Sequence, residues 1–298
     1  MALEPMLIRN TKVTEAQLDK LKGLIAQPKL DGIRVVVHNY TDSSGKEHTE
    51  VRTRGNKRLR TELEEWVLKV LNGAEKDHFI DCELIYDNDC AASSGIAHSI
   101  HTTINYDELR LFVFDVVDLT EVGSPKEPLT ARLERNTPAI INIPSWKHTS
   151  FEDSFSLAKQ WADQQGVVFE GFVLKPANSV YQFGKRLDGS YKYKLQAEMD
   201  VVVEQVLPME DMHGNDKPLA GYFVCRLRGT DTKDGTKIRV TASCSNELRT
   251  AMLNRAEDVV GKEIKIRYMD VQSGKSNTGL VRMPRYLSGL EFLLEGEN

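Results

Sequence analysis

The run "QPKLDGIR", residues 27 to 34, sets a lysine, an aspartate and an arginine around one glycine. If its first half ends a strand, Gly32 lets the backbone turn tightly beside a ligand and leaves Lys29 projecting into a cleft. A lone K-x-D-G arises by chance in roughly 5% of chains this long, so its meaning depends on what accompanies it. In "YKYK" (191 to 194) a strand period of two places Lys192 and Lys194 on one face and turns Tyr193 to the other. Two ammonium groups side by side repel unless an anion sits between them. "RTRGNKRLR" (52 to 60) carries Arg52, Arg54, Lys57, Arg58 and Arg60 with no acid, and residues 260 to 286 carry six basic residues against two acidic. Either stretch could meet phosphates, and a solvated charged turn is as strong an expectation for each taken alone.

Elements must hold these residues. "FIDCELIYD" (79 to 87) alternates, with Ile80, Cys82, Leu84 and Tyr86 on one face and Asp81 and Glu83 on the other. "LFVFDVVDL" (111 to 119) and "VVFEGFVLKP" (167 to 176) are apolar runs of strand length. By residue type alone Phe114 reads as core and Glu83 as solvated. Glu170 and Lys175 are five apart, so an unbroken strand aims them at opposite faces; Gly171 must mark a bend for both to reach one cleft. Helices are expected over "TELEEWVLKVLN", with Thr61 and Glu64 as a capping box, and over 153–165, stopped by Gly166.

After about residue 196 the texture changes to short strands: "MDVVVEQVLP", "YFVCRLRG", "KIRVTAS" and "KIKIRYMDV". A "KDG" turn at 233–235 and one helical stretch near 246–257 interrupt them. Five or so short strands with one helix suit a small OB-type barrel. The expected class is α+β, with a first domain over 1–195 and a barrel domain over 196–298.

Composition adds bounds. A chain of 298 residues has room for two cores, and 39 basic residues against 44 acidic argue only weakly against a nucleic-acid partner. No apolar run reaches membrane-spanning length, and "MALEPMLIRNTKV" lacks the pattern of a signal peptide, so a cytoplasmic location is expected. Cys82, Cys90, Cys225 and Cys244 form no C-x-x-C pair; they are expected to be reduced and mostly buried, with no zinc site or disulfide framework. The histidines form no ligand pattern.

Downstream of "KLDGIR" come, in order, "TRGNK" (53 to 57), "DCELIYD" (81 to 87), "FVFDVVD" (112 to 118), "EGFVLKP" (170 to 176) and "YKYKLQAEMD" (191 to 200). This succession resembles the ATP-dependent DNA ligases, within the covalent nucleotidyltransferase superfamily, over nearly the whole chain. "GFVLKPANSVYQFGKRLDGSYKYKLQAEMD" and "IRYMDVQSGKSNTGLVRMPRY" look most like the short phage ligases of the T7 type. The resemblance implies a nucleotidyltransferase (adenylation) domain of antiparallel sheets with helices, followed by a small OB-fold β-barrel. It implies that Lys29 attacks the α-phosphate of ATP and becomes lysyl-AMP. A lysine attacks only as the free amine, which nearby cations and desolvation favour; Lys175, Lys192 and Lys194 are the candidate cations. It further implies Glu83 on the ribose hydroxyls, Arg34 on the ribose or phosphate edge, Phe114 stacked on adenine and Gln27 at the base edge. Arg54 would bind the α-phosphate or the 5′-phosphate of a nick, and Glu170 a divalent metal, Mg²⁺.

One feature of the family is missing. Related ligases commonly end on a basic motif, R-x-D-K, that orients pyrophosphate; here the end reads "LVRMPRYLSGLEFLLEGEN", leaving Arg282, Arg285 or Lys275 for that role. The implied activity is sealing of 5′-phosphate/3′-hydroxyl nicks in duplex DNA, by a monomer. So short a lead before Lys29 suggests no separate N-terminal DNA-binding domain. Phosphate contacts would then come from Lys57, Arg58, Arg60, Lys275, Arg282 and Arg285, on facing walls of a cleft between the domains. RNA ligases and mRNA-capping guanylyltransferases share the K-x-D-G nucleophile, and "EMDVVV" with the T7-type tail favours a DNA ligase. An NAD-dependent ligase is disfavoured by the short lead and the missing cysteine cluster. A catalytically inactive nick-binding clamp is disfavoured because every motif but the last is present.

Overall fold

The computed structural model describes residues 3–9, 11, 13–71, 77–99, 101–120, 126–135, 141–227, 236–268, 271–272, 280–281 and 283–294. The chain divides into two units, Met1–Lys194 and Leu195–Asn298. In chain order the first unit contains β1 (Leu24–Lys29), β2 (Ile33–Thr41), β3 (Glu47–Thr53), α1 (Thr61–Val70), β4 (His78–Tyr86), α2 (Cys90–His98), β5 (Leu109–Asp118), α3 (Phe151–Gln165), β6 (Gly171–Pro176) and β7 (Tyr191–Lys194). It also has short strands at Leu7–Ile8, Ile141–Asn142, Trp146–Lys147 and Arg186–Leu187 and short helices at Glu15–Leu18, Tyr106–Glu108 and Leu129–Arg132.

Two larger sheets form from these strands, and Leu7–Ile8 pairs in parallel with Arg186–Leu187. One runs β7–β6–β1–Trp146–Lys147, with every pair antiparallel. The other runs β3–β2–β4–β5–Ile141–Asn142, antiparallel except for the last pair. The alternation of β4 drives Ile80, Cys82 and Leu84 into a core with Val35 and Val37 of β2, Leu63 and Val67 of α1, and Ile96 of α2. Its other face is buried too, so Glu83 is only 8% exposed rather than solvated. The back of the first sheet, Leu24, Ala26, Phe172 and Leu174, packs on Ala158 and the Phe151 and Phe155 rings of α3. Each fully buried aliphatic side chain there stabilises by about 1.5–3 kcal/mol.

Local signals set the helix ends, with one exception. Ser150 caps α3 by accepting from the Asp153 N–H at 3.1 Å, so the helix starts two residues before the expected 153; Gly166, at φ 62°, stops it. In α1 the N-cap is Arg60, not Thr61, and no side-chain capping bond forms. The Arg60 N–H is bound to the Ala97 carbonyl at 3.2 Å, and its guanidinium to the Ser99 and Thr102 carbonyls at 2.9 and 2.6 Å. Those tertiary bonds fix the helix entry that Thr61 and Glu64 were expected to cap.

The second unit contains β8 (Ala197–Glu210), β9 (Asp216–Leu227), β10 (Lys237–Thr241), α4 (Asn246–Asn254), β11 (Glu263–Tyr268) and β12 (Arg285–Ser288). The strands close into a barrel in the order β8–β9–β10–β12–β11, and β11 returns to pair with β8. Only β10 and β12 run parallel. Val201, Val203, Phe223, Cys225, Val240, Ile264 and Ile266 fill the barrel, with Leu248 and Met252 added from α4. A closed five-stranded barrel in this order, with α4 and a short helix at Ala256–Val259 before its fourth strand, is the OB architecture. The expected turn at 233–235 lies outside the described residues. Among the described residues no disulfide joins the cysteines; Cys82 and Cys225 are buried and Cys90 and Cys244 half-buried. Among the described residues no helix is long and apolar enough to cross a membrane.

Candidate active site

Strand register assembles the site. Lys29 of β1 lies opposite Gly171 of β6, which lies opposite Lys194 of β7; Gln27, Val173 and Lys192 form the next row. Residues directly opposite one another point to one face, so Gln27, Lys29, Lys192 and Lys194 share it. The Lys29 ammonium pairs with Glu170 and donates to the Leu30 carbonyl at 3.3 Å. Lys194 Nζ donates to the second carboxylate oxygen, Glu170 Oε1, at 2.5 Å. Glu170 is buried between the two ammonium groups. Gly171 makes this possible: its φ is 134°, and a Cβ there would stand 2.2 Å from the Tyr193 carbonyl oxygen. Only glycine tolerates both, and the bend brings the residue before the strand onto the lysine face.

The face is strongly cationic. The Lys192 ammonium is held below its ordinary proton affinity by burial first, then by the charges of Lys194, Lys29, Arg186 and Arg54. Arg54 sits in the exposed turn after β3, its N–H bound to the Arg34 carbonyl at 3.1 Å. Arg186 was not among the residues expected from the sequence; the signal was the "GKR" just before "YKYK". Lys29, Lys192, Lys194, Arg54 and Arg186, with Glu170 among them, form a seat for a polyanion.

The second sheet faces this one. Gln27 is fully buried, and its Nε2 donates to the Phe114 carbonyl at 3.3 Å and to Ser145 Oγ at 3.0 Å. Its Oε1 has no hydrogen-bond partner. Phe114 is only half-buried, at the edge of the cluster that holds Phe112 and Ile85: the β4–β5 register jumps from Asp81–Asp115 to Cys82–Val113, leaving Phe114 as a bulge residue. Bulges re-aim side chains, and the Arg34 guanidinium stands 5.8 Å from its ring centroid. Arg34 pairs with both oxygens of Asp81. Glu83, opposite Arg34, accepts from the Gly32 N–H at 3.1 Å. A Cβ on Gly32 would lie 2.3 Å from the Leu84 carbonyl oxygen, so this glycine serves the close approach of the Lys29 loop to β4.

The family model of the ATP dependent DNA ligase domain matches residues 5–194, more than half of the chain. The chain belongs to that family. A curated DNA ligase of Methanosphaera stadtmanae is 24% identical over 279 residues, covering 87% of this chain and 48% of that protein. The chain thus spans about half the length of that relative. Among solved structures, Pmar-Lig_PreS3 superposes with a TM-score of 0.72 at 19% identity, over 97% of this chain and 68% of its own. A structure from a structure-function analysis of Lig E DNA ligases gives 0.64 at 17% identity, over 96% and 99%. At these identities the likeness is one of fold.

Not every expected residue joins the ligase-domain cluster. Lys175 is on the same face but lies opposite Ile25, four residues further along and buried. Burial pulls its proton affinity down; Asp115 and Asp81 oppose that, and Arg34 and Arg132 add to it. Asp115 is itself paired with buried Arg132 at 2.8 and 3.0 Å. Arg60 is occupied within the fold by the Ser99 and Thr102 carbonyls and by Glu62, its side chain 10% exposed, and so leaves the set available to DNA. Lys57, Arg58 and Arg285 are exposed, whereas Lys275 and Arg282 lie outside the described residues.

The ligase domain offers Glu170, and Glu83 near it, as carboxylates beside Lys29. Among the described residues no group of three or more His, Cys, Asp or Glu could hold a metal by itself. Such a donor set fits a cation that takes most of its ligands from phosphate and water, as Mg²⁺ does.

Burial pushes Glu83 up to about 7, against the pull of Lys29, Arg34 and the Gly32 N–H, with Glu170 adding to the rise. From its ordinary 4.5 up to about 7 the folded chain holds a proton there that the unfolded chain has released. The associated stability is therefore complete at low pH and is lost as pH rises through 7. Glu83→Gln should flatten the decline of Tm between roughly pH 5 and 8. Parallel declines in wild type and variant would remove Glu83 as its source.

Proposed function

We propose that this chain seals 5′-phosphate/3′-hydroxyl nicks in duplex DNA, using ATP and a lysyl-AMP intermediate, as a cytoplasmic monomer. The observation that carries the reading is Lys29 bridged through Glu170 to Lys194, within a cation cluster beside a buried amide oxygen that has no partner. Lys29 Nζ gives up a proton to water by way of the paired Glu170 carboxylate and attacks the α-phosphorus; the N–P bond forms as the bond to pyrophosphate breaks. Lys194 and Lys192 stabilise the charge that builds on the phosphate oxygens. Phe114 stacks on adenine, Gln27 Oε1 accepts from its exocyclic amine, Glu83 binds the ribose, and Arg34 the ribose or phosphate edge. Arg54 and Arg186 suit the α-phosphate or the 5′-phosphate of the nick. Glu170 would hold Mg²⁺, which when bound supplies charge neutralisation at phosphate oxygens. The nick's 5′-phosphate then displaces Lys29 from AMP, and the 3′-hydroxyl displaces AMP.

Incubation with radiolabelled ATP, GTP or NAD, followed by denaturing electrophoresis, tests this directly. Label on the protein from ATP alone is expected. Absence of a labelled band with ATP, or labelling by GTP or NAD in its place, would overturn it.

DNA affinity is expected to come from phosphate contacts by the exposed Lys57 and Arg58 turn and by Arg285 on the barrel. Each lost contact lowers the log–log salt slope of nick binding by about 0.9. Replacing Lys57 and Arg58 together by alanine should reduce that slope while leaving self-adenylation nearly intact. A salt titration with equal slopes for wild type and double variant would take the turn off the DNA-binding surface.

A further inference from the structure

Arg34 is fixed from behind. Its Nε donates to Asp81 Oδ1 at 2.7 Å and its Nη2 to Asp81 Oδ2, while a fifth of the side chain stays exposed. Asp81 is 1% exposed, and Tyr181 O–H donates to the same Oδ2 at 2.6 Å. The Tyr181 oxygen in turn accepts from the Met6 N–H at 3.1 Å. Its ring is wedged between Phe79 and Phe183, with centroids at 5.6 and 5.0 Å, and under the Arg132 guanidinium at 5.7 Å. The segment carrying Met6 is pinned on both sides: the Gly184 N–H donates to the Glu4 carbonyl at 2.9 Å and the Leu7 N–H to the Lys185 carbonyl at 2.8 Å.

We infer that Tyr181 is a positioning residue for Arg34, acting through Asp81 and held in place by the Leu3–Arg9 segment. The inference rests on the nucleotide role given to Arg34 above. A two-toothed carboxylate–guanidinium pair locks the two groups into one plane, but that plane can turn about the aspartate side chain. The Tyr181 hydroxyl, immobile in its aromatic wedge and bonded at both ends, fixes the carboxylate and with it the guanidinium above Phe114. The alternative partner is close: the Lys175 ammonium already lies within the field of Asp81. Without the hydroxyl, the carboxylate turns toward Lys175 and the Arg34 guanidinium drifts off the nucleotide. Arg186, one of the cluster cations, bonds the Ile8 carbonyl at 3.0 Å, so the same segment steadies both residues.

The test is single-turnover self-adenylation across a range of ATP concentrations with Tyr181→Phe, in wild-type and Arg34→Lys backgrounds. The expected result is a KM for ATP raised about five- to tenfold by Tyr181→Phe in wild type, with maximal rate little changed, and no further rise in Arg34→Lys. A merely structural tyrosine lowers Tm in both backgrounds and leaves KM alone. Asp81→Asn serves as a second variant with the same expected pattern should Tyr181→Phe not fold. An unchanged KM, or an equal rise in both backgrounds, overturns the inference. Failure of the wild-type chain to self-label with ATP would instead overturn the proposed function, so the two failures are distinguishable.

Discussion

Lys29→Ala abolishes transfer of label from ATP to the protein and sealing of an unadenylated nick, while some sealing of a nick already carrying 5′-AMP remains. The first two outcomes follow from the loss of the amine that ends β1, paired there with Glu170. The third follows because attack by the 3′-hydroxyl on an existing DNA–adenylate needs the phosphate-binding groups but not the lysine as nucleophile. The fold tolerates the change: three quarters of the Lys29 side chain is buried, but Glu170 keeps its bond to Lys194. Thermal melting should show a stable variant. Normal self-labelling by Lys29→Ala would remove it as the AMP carrier, and loss of all sealing on the preadenylated nick would show that it does more than carry AMP.

The second large effect concerns "YKYK". Lys194→Ala should slow self-adenylation by roughly 100-fold or more, because it removes a charge that acts on the phosphate in the transition state. Lys194, rather than Lys192, is singled out since it shares the Glu170 carboxylate with Lys29 and lies in the same row. Tyr193 points to the opposite face, where its ring stands 5.4 Å from Phe172 and 4.8 Å from Phe151 and its hydroxyl donates to Glu15 at 3.0 Å. Tyr193→Ala should therefore cost stability, about 3 kcal/mol or less for a half-buried ring, with little effect on adenylation by the folded protein. Rapid-quench measurement of adenylation beside thermal melting separates the two. A Lys194→Ala variant adenylating at the wild-type rate would end its assignment to the phosphate.

What the sequence by itself determined is whatever depends on period and on single special residues. The alternation of 79 to 87 assigned Ile80, Cys82 and Leu84 to a core face, the period of two in "YKYK" separated Tyr193 from its lysines, and Gly166 marked a helix end. A bend at Gly171 was expected if Glu170 and Lys175, five apart, were to reach one cleft, and the backbone does turn there, at a φ of 134°. The α+β class and the barrel of the second unit follow from the same local patterns.

Tertiary structure decided how segments far apart in the chain meet, which no local pattern encodes. Phe114 is half-buried at the edge of a core, at the point where the β4–β5 ladder slips by one residue, and a slip is a property of two strands together. Glu83 is buried because a second sheet covers the face that a lone strand would leave to water, and that burial lifts its carboxyl. Arg60 is taken from the basic turn by carbonyls some 40 residues on, at Ser99 and Thr102. Lys175 sits apart from the lysines it was expected to join because the β1–β6 register places it opposite Ile25, four residues along from Gly171 and its partner Lys29. Tyr181 and Arg186 lie inside a stretch that resembles the ligases but received no role from it; Tyr181 is tied to Asp81 and to the Met6 N–H, and Leu7–Ile8 pairs with residues 186 and 187, nearly 180 positions away.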